Sequence, residues 1–105
     1  MEIQKLEALD SVLKVITEAL AVCPAKVRSK TRIGEVQDAR SLFVFFANRE
    51  GHTDNEISRF LGFKSYQHVK YHVDRVNDYL THDRPTQAKF ATCFRAMEEA
   101  TGRAE

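Results

Sequence analysis

Turn-forming residues are scarce in this chain, with four Gly and two Pro in 105 residues. A many-stranded β fold needs turn signals at short, regular intervals, so their scarcity favours helices. No apolar run approaches the roughly eighteen residues of a membrane span. The first residues lack the basic, apolar and small-residue blocks of a secretory signal, and a cytoplasmic location is expected. Cysteine is limited to Cys23 and Cys93, without C-x-x-C spacing. That excludes a disulfide scaffold and leaves two buried free thiols as the expectation. Nor is there an excess of one charge: 16 Lys and Arg face 15 Asp and Glu, for a net +1. Taken over the whole chain, that balance argues against a strongly basic nucleic-acid binder.

What is present is a well-patterned 43% of hydrophobic residues among 30% charged ones. This is enough for one folded domain over residues 1–105, with no room for a second core. Ile3, Leu6, Leu9, Leu13, Ile16 and Leu20 recur at steps of three and four, predicting an amphipathic helix that Pro24 closes. Lys26, Arg28, Lys30 and Arg32 then alternate in a segment free of acids. A second helix, opening at Thr31 or Ile33 and stopped by Gly51, carries Leu42-Phe43-Val44-Phe45-Phe46. Apolar around most of its circumference, it is the expected central helix. Thr53-Asp54-Asn55-Glu56 has capping-box form, and Gly62 suits the left-handed residue that ends a helix. Ser65 is the expected N-cap of a fourth helix whose inner face is Val69, Val73, Val76 and Leu80. A linker with Asp83 and Pro85 leads to a fifth helix presenting Phe90, Cys93, Phe94 and Met97, ended by Gly102. The whole reads as an all-α bundle of five helices.

The third and fourth of these helices, with a short Gly-containing turn between them, have helix-turn-helix form. The inner face of the fourth leaves Lys64, Ser65, Tyr66, Gln67, Lys70 and Tyr71 at its exposed N-terminal end, with His68 beside Val69. In such a motif these are the positions that reach base edges. Glutamine can bridge adenine N6 and N7, histidine can donate to guanine, and lysine and tyrosine reach phosphates. Resolved by segment, the charge agrees. Residues 26–75 hold ten basic and six acidic side chains, a net +4, whereas residues 1–25 carry −2 and residues 76–105 carry −1. A nearly neutral total thus conceals a basic centre.

From about Leu9 to Tyr79 the chain resembles the C-terminal DNA-binding domain of the bacterial replication initiator DnaA, of the Trp-repressor/DnaA-like helix-turn-helix type. The family's block Gly-Gly-Arg-Asp-His-Ser/Thr-Thr-Val meets Gly62-Phe63-Lys64-Ser65-Tyr66-Gln67-His68-Val69. Its basic loop and Arg-Gln-containing helix meet Ser29-Lys30-Thr31-Arg32 and Val36-Gln37-Asp38-Ala39-Arg40, and its Glu-Ile-Gly meets Glu56-Ile57. Residues 81–105 are then a linker plus a C-terminal helix. The resemblance implies that Arg32 enters a minor groove, with Lys30 and Arg40 supporting it at the backbone. It also implies that Lys64 stands for the signature arginine, and that Ser65, Tyr66, Gln67 and His68 occupy the base-reading positions. With those residues exchanged, the sequence read differs from the family's. The expected partner is double-stranded DNA, in replication initiation or transcription regulation.

The alternative is a protein-binding module of the same fold, with an aromatic surface of Phe63, Tyr66 and Tyr71. The C-terminal helix is a candidate for homodimerisation. No Gly-x-x-x-x-Gly-Lys-Ser/Thr occurs in the chain, so no ATPase of its own is expected. His68 and His72 stand one helical turn apart, but nothing at ligand spacing completes a metal site. Neither histidine has the setting of a catalytic dyad, and Cys93 reads as core. No enzyme activity, catalytic residue, metal, cofactor, small-molecule substrate or membrane partner is expected.

Overall fold

The computed structural model describes residues 9–102 and is all-α, with no strand among them. Six helices follow in order: α1 (Leu9–Leu20), α2 (Pro24–Val27), α3 (Gly34–Arg49), α4 (Asp54–Leu61), α5 (Gln67–Leu80) and α6 (Arg84–Thr101). The sixth, unexpected member is α2. Pro24 does not merely close the first helix but opens the next, because its missing N–H and fixed φ suit a first helical turn. Helix α1 ends instead at Ala21, in the left-handed conformation at φ 57°, where Val22 N–H returns to Thr17 O at 2.9 Å. That position usually falls to glycine, so the stop carried no sequence signal. Ile3 and Leu6 lie outside the described residues.

Helix α3 is the central element and packs against each of the other five. Leu42, Phe43, Val44, Phe46 and Ala47 are buried, and Phe45 is half-buried. Phe43 meets Phe60 of α4 at 5.6 Å between ring centroids, and Phe90 of α6 stacks on Phe46 at 5.2 Å. Helix α1 closes the other side with Val12, Leu13 and Ile16 against α3 and α6. Burying a side chain of this size stabilises by about 1.5–3 kcal/mol, so these rings and branched chains dominate the core.

At the start of α6, Asp83 is the N-cap, accepting from Thr86 N–H at 3.0 Å and Thr86 Oγ1–H at 2.6 Å. These bonds, the hydroxyl's first, hold its carboxyl below the usual carboxylate range. Pro85 stands within the first turn rather than in a linker. Both cysteines are free; Cys93 is buried, its thiol pushed up to about 12 by burial, but Cys23 is exposed rather than buried. Among the described residues no helix is long and apolar enough to cross a membrane.

Candidate nucleic-acid interface

The mounting of α5 begins one helix earlier. Thr53 Oγ1 accepts from Glu56 N–H at 3.1 Å, and Glu56 Oε1 accepts from Thr53 N–H at 2.8 Å, the reciprocal pair of a capping box. Those bonds to Thr53 hold the Glu56 carboxyl below the ordinary range, the backbone N–H contributing most. Nine residues after Thr53, Gly62 takes φ 73° and Phe63 N–H returns to Ser58 O at 2.9 Å, stopping α4. A side chain at Gly62 would strain the backbone in that region. Phe63 then turns inward. Its ring stacks on His72 at 5.6 Å with an interplanar angle of 15° and meets His68 edge-on at 5.3 Å. Ser65 Oγ accepts from Gln67 N–H at 3.1 Å, although the N-cap position itself falls to Tyr66.

Helix α5 is fastened to α3 through polar side chains as well as through Val69 and Val76. His72 is 5% exposed, and its Nδ1 lies 2.7 Å from Ser41 Oγ. Arg75 Nη1 donates to the same Ser41 oxygen at 2.9 Å. Ser41 Oγ therefore bridges His72 and Arg75, using one of its lone pairs for the guanidinium. Burial, then the charges of Arg40, Arg75 and His68, push the His72 pKa down to about 4. Asp38 accepts from Arg75 Nη2 at 3.1 Å and from Lys89 Nζ at 2.7 Å, joining α3, α5 and α6. Fixed in this way, α5 leaves Lys64, Tyr66, Gln67, His68, Lys70 and Tyr71 exposed and Ser65 half-exposed. Tyr66 and Tyr71 are 52% and 57% exposed. From Leu61 to Val73 there is no acidic residue.

The basic segment lies beside this turn. Arg28 Nη2 donates to Phe60 O at 3.2 Å, and its guanidinium sits 4.1 Å from the centroid of the Phe60 ring, which ties the segment to the end of α4. Lys30 and Arg32 are exposed. Arg40 is not: it is 5% exposed and points into the segment. Its Nε donates to Val27 O at 2.9 Å, Nη1 to Thr31 O at 3.1 Å and to Gln37 Oε1, and Nη2 to Ser29 O at 2.9 Å and Lys26 O at 3.2 Å. Burial, then the charge of Arg32, lower its pKa from the ordinary guanidinium value. Adjacent residues of α3, Arg40 and Ser41, thus hold the basic segment and α5.

Of the expected residues, those of the α4–α5 turn, the start of α5, Lys30 and Arg32 are at the surface, whereas Arg40 lies buried beneath the basic segment. Ser41, His72, Arg28 and Asp38 escaped the sequence reading as parts of this mounting. Helical spacing carried a signal for His72, and for the burial of Arg40. Val36, Ala39, Arg40, Phe43 and Ala47 share one face of α3, and Val69, His72 and Val76 share one face of α5.

A small all-α domain that displays a cationic, hydrogen-bonding edge is the class this fold and surface define. No family model matches the chain. It is similar to the chromosomal replication initiator protein DnaA of Campylobacter concisus (strain 13826), with 20% identity over 71 residues covering 67% of this chain and 16% of that protein. It is also similar to the protein of the same name from Aliarcobacter butzleri (strain RM4018), with 22% identity over 76 residues covering 71% of this chain and 17% of that protein. The chain spans about a sixth of the length of these curated relatives.

Proposed function

We propose that this protein is a non-catalytic, sequence-specific binder of double-stranded DNA, acting in replication initiation or transcription regulation without an ATPase of its own. In this reading α4 and α5 form a helix-turn-helix of the Trp-repressor/DnaA C-terminal type, and the N-terminal end of α5 enters the major groove. Ser65, Tyr66, Gln67 and His68 face base edges, with Gln67 suited to adenine. Lys64, Lys70 and Tyr71 meet phosphates, while the segment carrying Lys30 and Arg32 reaches an adjacent minor groove. One observation carries the proposal. Arg28 ties the acid-free basic segment to the carbonyl of Phe60, at the end of α4 and just before the acid-free stretch that leads into α5. Two cationic elements distant in sequence thereby share one edge, as a protein spanning both grooves requires. The similarity to replication initiators over about two thirds of the chain supports the same reading.

Fluorescence anisotropy with random duplex at low salt, followed by selection from a random pool, tests it. Salt-sensitive binding is expected. Arg32→Ala and Lys64→Ala should weaken binding to all sequences. Gln67→Ala should remove about 1–3 kcal/mol of discrimination at one base pair. Undetectable or salt-independent binding would refute the proposal. The exposure of Tyr66 and Tyr71 favours the second reading, a protein-binding surface at the same turn. Phe63, stacked on His72, contributes little to such a surface.

A further inference from the structure

We infer that Arg40 is the positioning residue of the basic loop. Its guanidinium casts residues 26–31 into the shape that carries Lys30 and Arg32 to the nucleic acid, and it touches no phosphate itself. The inference rests on the DNA-binding reading above and gives Arg40 a role different from a backbone contact.

The donor inventory carries the argument. A guanidinium has five N–H donors in a planar fork and no acceptor. Arg40 makes five hydrogen bonds, four to carbonyls of Lys26, Val27, Ser29 and Thr31 and one to Gln37 Oε1. None of its N–H groups remains for a phosphate while the loop keeps this form. The four carbonyls belong to the last turn of α2 and the stretch that leads from it to α3, where Ser29 N–H also donates to Lys26 O at 3.1 Å. Ser29 Oγ–H donates to Lys26 O at 2.7 Å, and Thr31 N–H donates to Ser29 Oγ at 3.2 Å. Backbone acceptors in such a stretch need partners or water. One buried cation supplies four of them at once and draws them into a curve around itself.

The alternating residues then have no choice of direction. Val27 is buried, and Arg28 lies on Phe60, whereas Lys30 and Arg32 are exposed. An arm held in this way is ordered before its ligand arrives, so less conformational entropy is lost on binding. Lysine cannot replace the fork, because its three donors radiate from one point on a flexible stem. The Arg28 contact with Phe60 is a second, exposed tether acting on the same segment.

The 105-residue chain with Arg40→Lys tests this, since it keeps the charge and removes the fork. Amide hydrogen exchange over residues 26–32, affinity for random duplex and the salt dependence of that affinity are measured together. Exchange in the loop should quicken about tenfold or more, with affinity falling by a similar factor. The slope of log K against log salt should become shallower by about 1–2 as the contacts of Lys30 and Arg32 loosen, at ~0.9 per phosphate. A merely structural role would lower thermal stability but leave the slope of the folded protein unchanged, and that result overturns the inference. So does unaltered loop exchange, or a variant that binds like the parent, as a direct phosphate contact replaced by lysine would. If Arg40→Lys does not hold the fold, Arg28→Lys takes its place with the same readouts, the same directions and smaller effects. Failure of the unmodified chain to bind any duplex overturns the DNA reading together with this inference. Binding by the unmodified chain with an undisturbed variant overturns this inference alone.

Discussion

His72 stands behind the exposed end of α5, with Ser41 Oγ hydrogen-bonded to Nδ1 at 2.7 Å and the Phe63 ring stacked on its face. Burial first, then the charges of Arg40, Arg75 and His68, disfavour the protonated ring. The imidazole is therefore held neutral, with its pKa depressed to about 4. In the unfolded chain the same group titrates near 6.5. Between these values the unfolded state binds the extra proton, so stability rises with pH across the window. The contribution is fully present above pH ~6.5 and is lost as pH falls towards 4, amounting to roughly 3 kcal/mol at the upper end. Urea denaturation from pH 7 to pH 4 should show this loss, and His72→Asn should flatten the curve while lowering its plateau. An unflattened curve in the variant would assign the loss to other groups.

Helix α5 is electrically divided along its length. Its outer stripe runs through Gln67, Lys70, Tyr71, Asp74 and Asp78, all exposed and spaced by one-turn steps. The first part of that stripe has no acid, and the last turns have two. Among the described residues Asp74 has no ion-pair partner. On the proposed docking, a carboxylate one turn beyond Lys70 opposes phosphate wherever the helix leaves the groove. It therefore limits contact to the N-terminal end and weakens binding to unselected sequences. Asp74→Asn should raise affinity for random duplex about fivefold at low salt, by anisotropy, with a smaller gain for a selected site. Unchanged or weaker binding would mean that this stripe does not face DNA. The beginning of the motif was readable from the chain alone: Thr53 with Glu56, and Gly62, act on backbone within a few residues of themselves. The end of α1 was not, because alanine took a conformation that glycine ordinarily marks.

For the molecule as a whole, the +1 total says little, and the +4 of residues 26–75 says more. Even that sum overstates what is free. Arg40 is enclosed by carbonyls, Arg28 lies on Phe60, and Arg75 is paired with Asp38. Lys26 in α2, Lys30 and Arg32 on the loop, Lys64 in the α4–α5 turn and Lys70 in α5 remain exposed. If each of the five meets a phosphate, log K should fall against log salt with a slope of roughly −4 to −5. Titrations at three or more salt concentrations measure this, and a slope near zero would remove these cations from the interface.

Helix content, the apolar identity of α3, the capping box, the left-handed Gly62 and the basic middle of the chain were all legible in the residues. Each depends on neighbours within about one helical turn or on simple charge arithmetic. The inward turn of Arg40 and His72 was not legible in the same way. A charged or polar side chain on the inner face of a helix is tolerated only if buried partners satisfy it. Here those partners are Val27 O, 13 residues before Arg40, and Ser41 Oγ, 31 residues before His72. Local chemistry specified which elements form and where cations are plentiful. Packing against α3 selected which cations stay in water, because desolvation and hydrogen bonding are settled by groups that only the folded chain brings into reach.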